Sequence, residues 1–152
     1  MHVMRHNEHL AYAAGIIDGE GCIGAYNVRQ ATSTKSPYAQ VTIRVAMTSP
    51  LALKRLQSLF GGTLRAKKRI NVKRMVFDWC VRNRHAEAAL RQLLPYLCEK
   101  REQAEVALAL AELRRGQKRT VRLTEADIAE REQYVQKLKD LKRVEYDAST
   151  IQ

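Results

Sequence analysis

The sequence predicts an α+β fold in which helices cover one face of an antiparallel sheet. Apolar and polar residues alternate over Tyr38 to Met47, which is the pattern of a strand with one buried face. Elsewhere apolar residues recur at helical spacing, and glycine or proline separates the periodic segments. The order is helix, two strands, helix, two strands and then further helices. Such a sheet leaves its second face open to water or to a ligand.

The first half of the chain supplies two helices and two strands. Residues 8–21 predict a helix that ends in glycines, and residues 22–30 and 38–47 predict the first two strands. Ser49-Pro50 opens the second helix, because the serine hydroxyl can accept from unpaired amides and proline suits the first helical position. Gly61-Gly62 ends it.

The second half begins with a predicted hairpin formed by residues 63–69 and 73–82. Helices are predicted over residues 84–94 and 98–115. A last helix begins at Thr124, which with Asp127 resembles a capping box. The sequence thus predicts two hairpins, each preceded by a helix.

The composition is strongly basic. Lys and Arg number 27 against 16 Asp and Glu, so the formal net charge is +11 over 152 residues. The length suits one domain over residues 1–152, with a core at roughly 8–115 and a C-terminal helical extension at 116–145. The charge indicates an anionic partner, with nucleic acid favoured over a membrane surface. Since no apolar run suggests a membrane span or a secretory signal, we expect an intracellular protein of an organelle or a prokaryotic cytoplasm, not a secreted one.

The open face of the predicted sheet carries cations and hydrogen-bonding side chains. The side chains expected there, and predicted to bind DNA, are Tyr26, Val28, Gln30, Tyr38, Gln40, Thr42, Arg44, Arg65, Lys67, Arg69, Arg74, Val76 and Asp78. A solvated surface normally mixes both charge signs, whereas this set has five cations and one anion. Arg and Gln can pair with base edges in the major groove, and a β-ribbon fits that groove. The face therefore favours nucleic acid over water alone.

The first helix combines a ridge of small residues with an acidic end. Ala11, Gly15 and Gly19 recur every four residues, which allows close packing against the chain's own core or against another helix. Asp18 and Glu20 lie at the C-terminal end, where the helix dipole is already negative. An acid between glycines, in a protein that attracts phosphate, suggests a divalent metal, because carboxylate and carbonyl oxygens are the ligands of Mg²⁺. A solvated acid is the alternative.

Residues 13–21, AAGIIDGEG, resemble the LAGLIDADG signature of homing endonucleases. The residues that match it outright are Ala14, Gly15, Ile17, Asp18 and Gly21. Ala13 and Ile16 replace Leu conservatively, and Gly19 and Glu20 are common variants at their positions. The predicted element order is also similar to the αββαββα core of that family, so the resemblance covers roughly residues 8–115.

The resemblance implies a site-specific endonuclease that cleaves double-stranded DNA and whose gene can lie in an intron or intein. One copy of the motif implies a homodimer with a long, pseudo-palindromic target. The resemblance also implies that the open face of the sheet forms a saddle-shaped surface on which the DNA lies. The implied dimer interface consists of Ala11, Ala14, Gly15 and Asp18.

By position, the resemblance makes Glu20 the metal-binding catalytic acid and the Gly19 carbonyl a further ligand. It implies Mg²⁺ as cofactor, with Mn²⁺ or Ca²⁺ substituting for binding. Lys100 is similar in position to a basic residue near the metal-bound water, and a phosphate contact or a solvated lysine is an equal alternative. The family often has Gln where Met47 aligns, and Met cannot hydrogen-bond a water usefully. This difference leaves two alternatives open: activity is weaker, or Thr48 or Ser49 takes the place of the Gln.

Two other classes of function stay open at this point. One is a nucleic-acid-binding relative without cleavage, such as an RNA maturase that aids intron splicing or a DNA-binding regulator. Glu20 favours the enzyme, whereas Met47 favours the binding module. The other is a structural basic protein of nucleoid or ribosome, in which the glycine-flanked acid would have no role.

Overall fold

A computed structural model of the chain describes residues 4–28, 38–68, 70–71, 73–117 and 123–151. The helices and strands are α1 His6–Glu20, β1 Gly21–Val28, β2 Tyr38–Met47, α2 Leu51–Phe60, β3 Thr63–Lys67, β4 Val76–Arg82, α3 Asn83–Leu93, α4 Arg101–Gly116 and α5 Glu125–Leu141. Short 3₁₀ turns occupy Leu94–Tyr96 and Ala148–Ile151. The predicted α+β class and the αββαββα order with additional C-terminal helices are confirmed. Among these residues, no helix has the length and apolarity that crossing a bilayer requires.

The four strands form one antiparallel sheet in the order β1-β2-β4-β3, so the two hairpins meet at their second strands. Tyr26 pairs with Gln40, and Arg65 pairs with Asp78. Because directly opposite residues share a face, these pairs place the predicted residues on one surface. We call this surface the open face; its described residues include Cys22, Gly24, Tyr26, Gln40, Thr42, Arg44, Ala46, Thr63, Arg65, Lys67, Val76, Asp78, Cys80 and Arg82.

The opposite face of the sheet lies in the core. Its buried side chains include Ile23, Ile43 and Trp79, none of which has exposed surface. The indole Nε1 of Trp79 donates to the Gly61 carbonyl at 2.9 Å, which ties β4 to the end of α2. Gly62 has φ +88°, and a Cβ there would lie 2.5 Å from the Cys80 carbonyl oxygen, so glycine is required at this turn.

The second hairpin is shorter than predicted. β3 ends at Lys67 and β4 begins at Val76, so Arg74 lies outside both strands. Ile70 is fully exposed and Met75 is exposed. Pairing stops here because the apolar residues of this segment do not reach the core.

The C-terminal extension packs back onto the core, with α5 against α4 and β1. The predicted capping box is confirmed, since Thr124 Oγ1 accepts from the Asp127 amide at 3.1 Å and Asp127 Oδ2 accepts from the Thr124 amide at 2.8 Å. Val135 and Leu138 are buried. The end of α5 therefore has a fixed place beside the first hairpin.

Candidate nucleic-acid interface and acidic site

Glu20 is the last residue of α1 and its side chain is exposed. It makes no hydrogen bond or ion pair with any residue that the structure describes. Gly19 is also exposed, and a Cβ there would meet nothing within 4 Å. A carboxylate and the adjacent backbone are thus open to an approaching ligand.

Asp18, a residue of the predicted dimer interface, uses its carboxylate within the chain. It accepts hydrogen bonds from the amides of Cys98 at 2.8 Å and Lys100 at 3.0 Å, just before α4 begins. The half-buried Lys100 side chain donates to the Asp18 carbonyl, so a cation compensates the negative end of α1. The structure therefore places the Lys100 ammonium at the backbone carbonyl of Asp18, two residues before Glu20.

Only some residues of the predicted dimer interface on α1 face the solvent. Ala11 and Gly15 are exposed, whereas Ala14 has no exposed surface because it packs into the chain's own core. The assignment of Ala14 to the dimer interface is therefore corrected. A Cβ at Gly15 would meet nothing within 4 Å, and the exposed Tyr12 ring lies 4.8 Å from the Arg55 guanidinium carbon. A second helix could approach this side closely.

The acidic site offers only part of a metal coordination sphere. Within the described ranges, no group of three or more His, Cys, Asp or Glu side chains could hold a metal ion. Glu20 and the Gly19 carbonyl supply the hard oxygen donors that Mg²⁺ takes, but they are too few to enclose it. The residues present fit a divalent ion only if its remaining ligands are supplied from outside this chain.

The open face differs from the sequence prediction at several positions. Tyr26 and Arg65 are exposed, and Gln40 and Val76 are half-buried. Thr42 has only 1% of its surface exposed, and its Oγ1 shares a 2.7 Å hydrogen bond with the Tyr26 hydroxyl, so Thr42 supports the face from below and does not contact a ligand directly.

The remaining predicted contacts lie at or beyond the ends of the strands. Val28 and Tyr38 pair with each other at the end of the first hairpin. Arg74 is exposed but lies before β4, because the strand pairing ends at Val76. Gln30 and Arg69 fall outside the described residues.

Asp78, the acidic residue on the open face, forms ion pairs with two basic residues of the same face. Asp78 Oδ2 accepts from Arg44 and from Lys67, each at 3.0 Å. Burial alone would raise the pKa of Asp78, but the hydrogen bonds from Lys67 and Arg44 outweigh it and hold that pKa below its usual value. The hydrogen bond that Arg44 donates to Asp78 raises the pKa of Arg44. The two cations are therefore held in fixed orientations over the sheet.

Two further cations at this face were not predicted from the sequence. Arg82 is exposed opposite Thr42, and continuing the alternation of β4 beyond Asp78 would have identified it. Lys142 follows α5, and its Nζ donates to Cys22 Sγ at 3.1 Å and lies 3.1 Å from where a Cβ of Gly24 would be. No local pattern signals Lys142, because only the packing of α5 brings it there.

No protein-family model matches the chain, and no curated protein sequence matches it. Solved structures do match. The homing endonuclease I-CvuI in complex with its target is 25% identical with a TM-score of 0.74, over 93% of this chain and 87% of that one. Its complex with the I-CreI target, in the presence of Mg and with the DNA not cleaved, is 26% identical with the same TM-score, over 94% and 88%.

Two more distant structures share the fold. The archaeal intron-encoded homing endonuclease I-Vdi141I, complexed with DNA, is 11% identical with a TM-score of 0.71, over 95% of this chain and 90% of that one. The LAGLIDADG homing endonuclease I-LtrWI, bound to target DNA, is 16% identical with a TM-score of 0.62. That match covers 95% of this chain but only 48% of the I-LtrWI chain. The present fold thus corresponds to most of the I-CvuI chain and to about half of the I-LtrWI chain.

Proposed function

We propose that this chain, which belongs to the LAGLIDADG homing endonuclease family, cuts both strands of one long, pseudo-palindromic DNA site as a homodimer that uses Mg²⁺. The observation that carries the proposal is the exposed Glu20, unpaired within the described residues, at the end of the motif helix beside a basic sheet. We expect such a protein to act in an organelle or in a prokaryotic cytoplasm.

The homodimer follows from the single motif. One chain supplies one acid and one sheet, whereas cleaving two strands requires two acidic sites. Ala11, Gly15 and Gly19 are exposed along one side of α1, and they are small enough for a second α1 to pack closely against them. Such packing would bring the two Glu20 carboxylates together beneath the DNA and would join the two sheets into one saddle.

The residues of each subunit then have separate tasks. Glu20 and the Gly19 carbonyl would hold the divalent ion, and Lys100 lies beside them through its hydrogen bond to Asp18. When bound, the ion supplies a water nucleophile at neutral pH and stabilises the charge on the leaving 3′ oxygen. On the open face, Arg44 and Gln40 read base edges, while Lys67 and Arg65 contact phosphates.

The test is cleavage of a plasmid library in Mg²⁺ by the parent chain and by Glu20→Gln. The parent is expected to cut at one long site, and the variant is expected to bind that site without cutting it, because the neutral amide lacks the negative charge with which the carboxylate holds the metal ion. Glu130→Gln is the matched control, since Glu130 is exposed on α5 and away from the motif. Equal cutting by Glu20→Gln and the parent would remove Glu20 from the mechanism.

Met47 supports a second candidate, a nucleic-acid-binding relative without cleavage. Its side chain is half-buried and packs against the core, so it offers no hydrogen bond at the position where the family often has Gln. Binding of one duplex by the parent chain without cutting in Mg²⁺ or Mn²⁺ would favour this candidate. Competition between that duplex and intron RNA would then separate a regulator from a maturase.

A further inference from the structure

Asp18 joins two segments that lie 80 residues apart in the sequence. Its two carboxylate oxygens each accept one backbone amide, with Oδ2 bonded to Cys98 at 2.8 Å and Oδ1 bonded to Lys100 at 3.0 Å. The Lys100 ammonium donates in the opposite direction, to the backbone carbonyl of Asp18. Three hydrogen bonds thus connect one residue of α1 to the turn that precedes α4.

The charges of this contact complement the two helix ends. The C-terminal end of α1 carries carbonyls without helical partners and attracts a cation, whereas the N-terminal end of α4 carries free amides and attracts an anion. Lys100 and Asp18 satisfy these needs reciprocally. Hydrogen bonds to a charged group are shorter and stronger than neutral ones, so the turn has one preferred position relative to α1.

We propose that Asp18 is a positioning residue for DNA cleavage, which holds Lys100 at a fixed place relative to Glu20. This inference rests on the proposed function. The carbonyl that Lys100 contacts belongs to the residue just before Gly19, so a shift of the turn at Cys98 and Lys100 would move the Lys100 ammonium away from the metal-binding end of α1. Asp18 itself is directed toward the turn before α4, because each of its carboxylate oxygens accepts a backbone amide there.

Asp18→Asn is the informative variant. An asparagine of the same shape has one acceptor oxygen, and its NH₂ group would face a backbone amide that is also a donor. Single-turnover cleavage by this variant is expected to slow by roughly 10- to 100-fold, the cost of displacing a catalytic group by up to about 1 Å. Affinity for the target duplex, measured in Ca²⁺, is expected to stay within about twofold, since the open face is unchanged.

A double-mutant cycle separates positioning from a general structural role. The same substitution in a Lys100→Met background is expected to cause no further loss, because there is no ammonium left to position. Asp127→Asn is the matched control: it removes an aspartate that likewise accepts backbone and side-chain hydrogen bonds at a helix start, in α5. Its cleavage rate, measured on folded protein, is expected to equal that of the parent.

Amide hydrogen exchange gives a readout that does not depend on cleavage. Exchange at Cys98 and Lys100 is expected to accelerate in Asp18→Asn and to stay unchanged in Asp127→Asn. The inference is overturned if Lys100→Met cleaves at the parent rate. It is also overturned if Asp18→Asn lowers the cleavage rate by the same factor in the parent chain and in Lys100→Met. A lower unfolding temperature with an unchanged cleavage rate also overturns it. Full cleavage by Glu20→Gln, in contrast, overturns the proposed function.

Discussion

The guanidinium of Arg44 donates to the carboxylate of Asp78 at 3.0 Å, across the two central strands of the sheet. Lys67 donates to the same oxygen from the neighbouring edge strand. The three side chains together carry one positive charge, although the sequence places two cations there. Asp78 therefore lowers the attraction of this part of the sheet for phosphate and fixes the direction in which Arg44 points.

Replacing Asp78 with Asn is expected to strengthen binding to unrelated DNA and to reduce discrimination in favour of the target. The substitution adds one net positive charge and frees two cations, so the salt dependence of unspecific binding should steepen by about one unit of slope. Affinities for target and scrambled duplexes at two salt concentrations would measure both effects. Glu130→Gln makes the same charge change on α5 and is expected to leave the ratio of the two affinities unchanged. If Asp78→Asn raised the ratio of target affinity to scrambled-duplex affinity, Asp78 would not be a residue that favours the target.

The strands of the first hairpin were predictable because their pattern is local. Val41, Ile43 and Val45 alternate with polar residues, and all three are buried as this alternation requires. The start of β4 was not predictable, because Met75 continues the apolar alternation of Phe77 and Trp79 but is exposed, beyond the part of the sheet that the core covers. Strand ends depend on the position of the helices beneath the sheet, and local sequence does not encode that position.

Gly15→Leu is expected to leave each subunit folded while preventing dimer formation. Because a Cβ at Gly15 meets nothing within 4 Å, the new side chain has room in the single chain. Replacing an exposed helical glycine should even stabilise the subunit, by about 0.8 kcal/mol. If a second α1 packs on this side, leucine separates the two helices and cleavage is lost. Sedimentation, thermal unfolding and cleavage would be measured on the same preparation.

The control for this variant is Gly116→Leu. Gly116 also lies in a helix, at the end of α4, and a Cβ there likewise meets nothing within 4 Å. It is expected to remain dimeric and active. A dimer of normal affinity in Gly15→Leu would show that α1 does not form the interface.

Lys142→Ala is expected to weaken binding to target and unrelated DNA by a similar factor and to lower the salt slope by about one. The Lys142 ammonium lies over Cys22 and Gly24 on the open face. These two residues follow closely after Glu20 in the sequence, so the ammonium can contact a DNA phosphate near the acidic site. Lys137→Ala removes the same charge from an exposed position within α5 and serves as the control. Equal effects of the two variants would mean that Lys142 acts only through net charge.

The acidic site was predictable to the extent that it is local. Glu20 and Gly19 belong to one nine-residue motif, whereas Lys142 and the amides that bind Asp18 come from elements more than 75 residues away. Asp18 illustrates the difference most clearly. The motif places it on α1, but only the approach of the turn before α4 decides that its carboxylate faces inward.

Stability in acid provides a prediction that is independent of DNA. Glu87 on α3 accepts hydrogen bonds from Arg91 at 3.0 Å and from Arg115 on α4. Burial alone would raise the pKa of Glu87, but the hydrogen bonds from Arg115 and Arg91 outweigh it and hold that pKa below its usual value. Because the unfolded chain then binds this proton at higher pH than the folded chain, the stabilisation is complete above the unfolded pKa and is lost as the pH falls through the folded pKa.

Glu87→Gln should therefore reduce the free energy of unfolding at neutral pH and make its decline between about pH 5 and pH 2 shallower. The reduction should be small, because both arginine side chains are about half exposed, at 51% and 55%, and are screened by water. Glu112→Gln is the control, since Glu112 binds the same two arginines but is 63% exposed against 15% for Glu87. Urea unfolding at several pH values would compare the three proteins, and parallel curves for Glu87→Gln and the parent would contradict a stabilising role for this carboxylate.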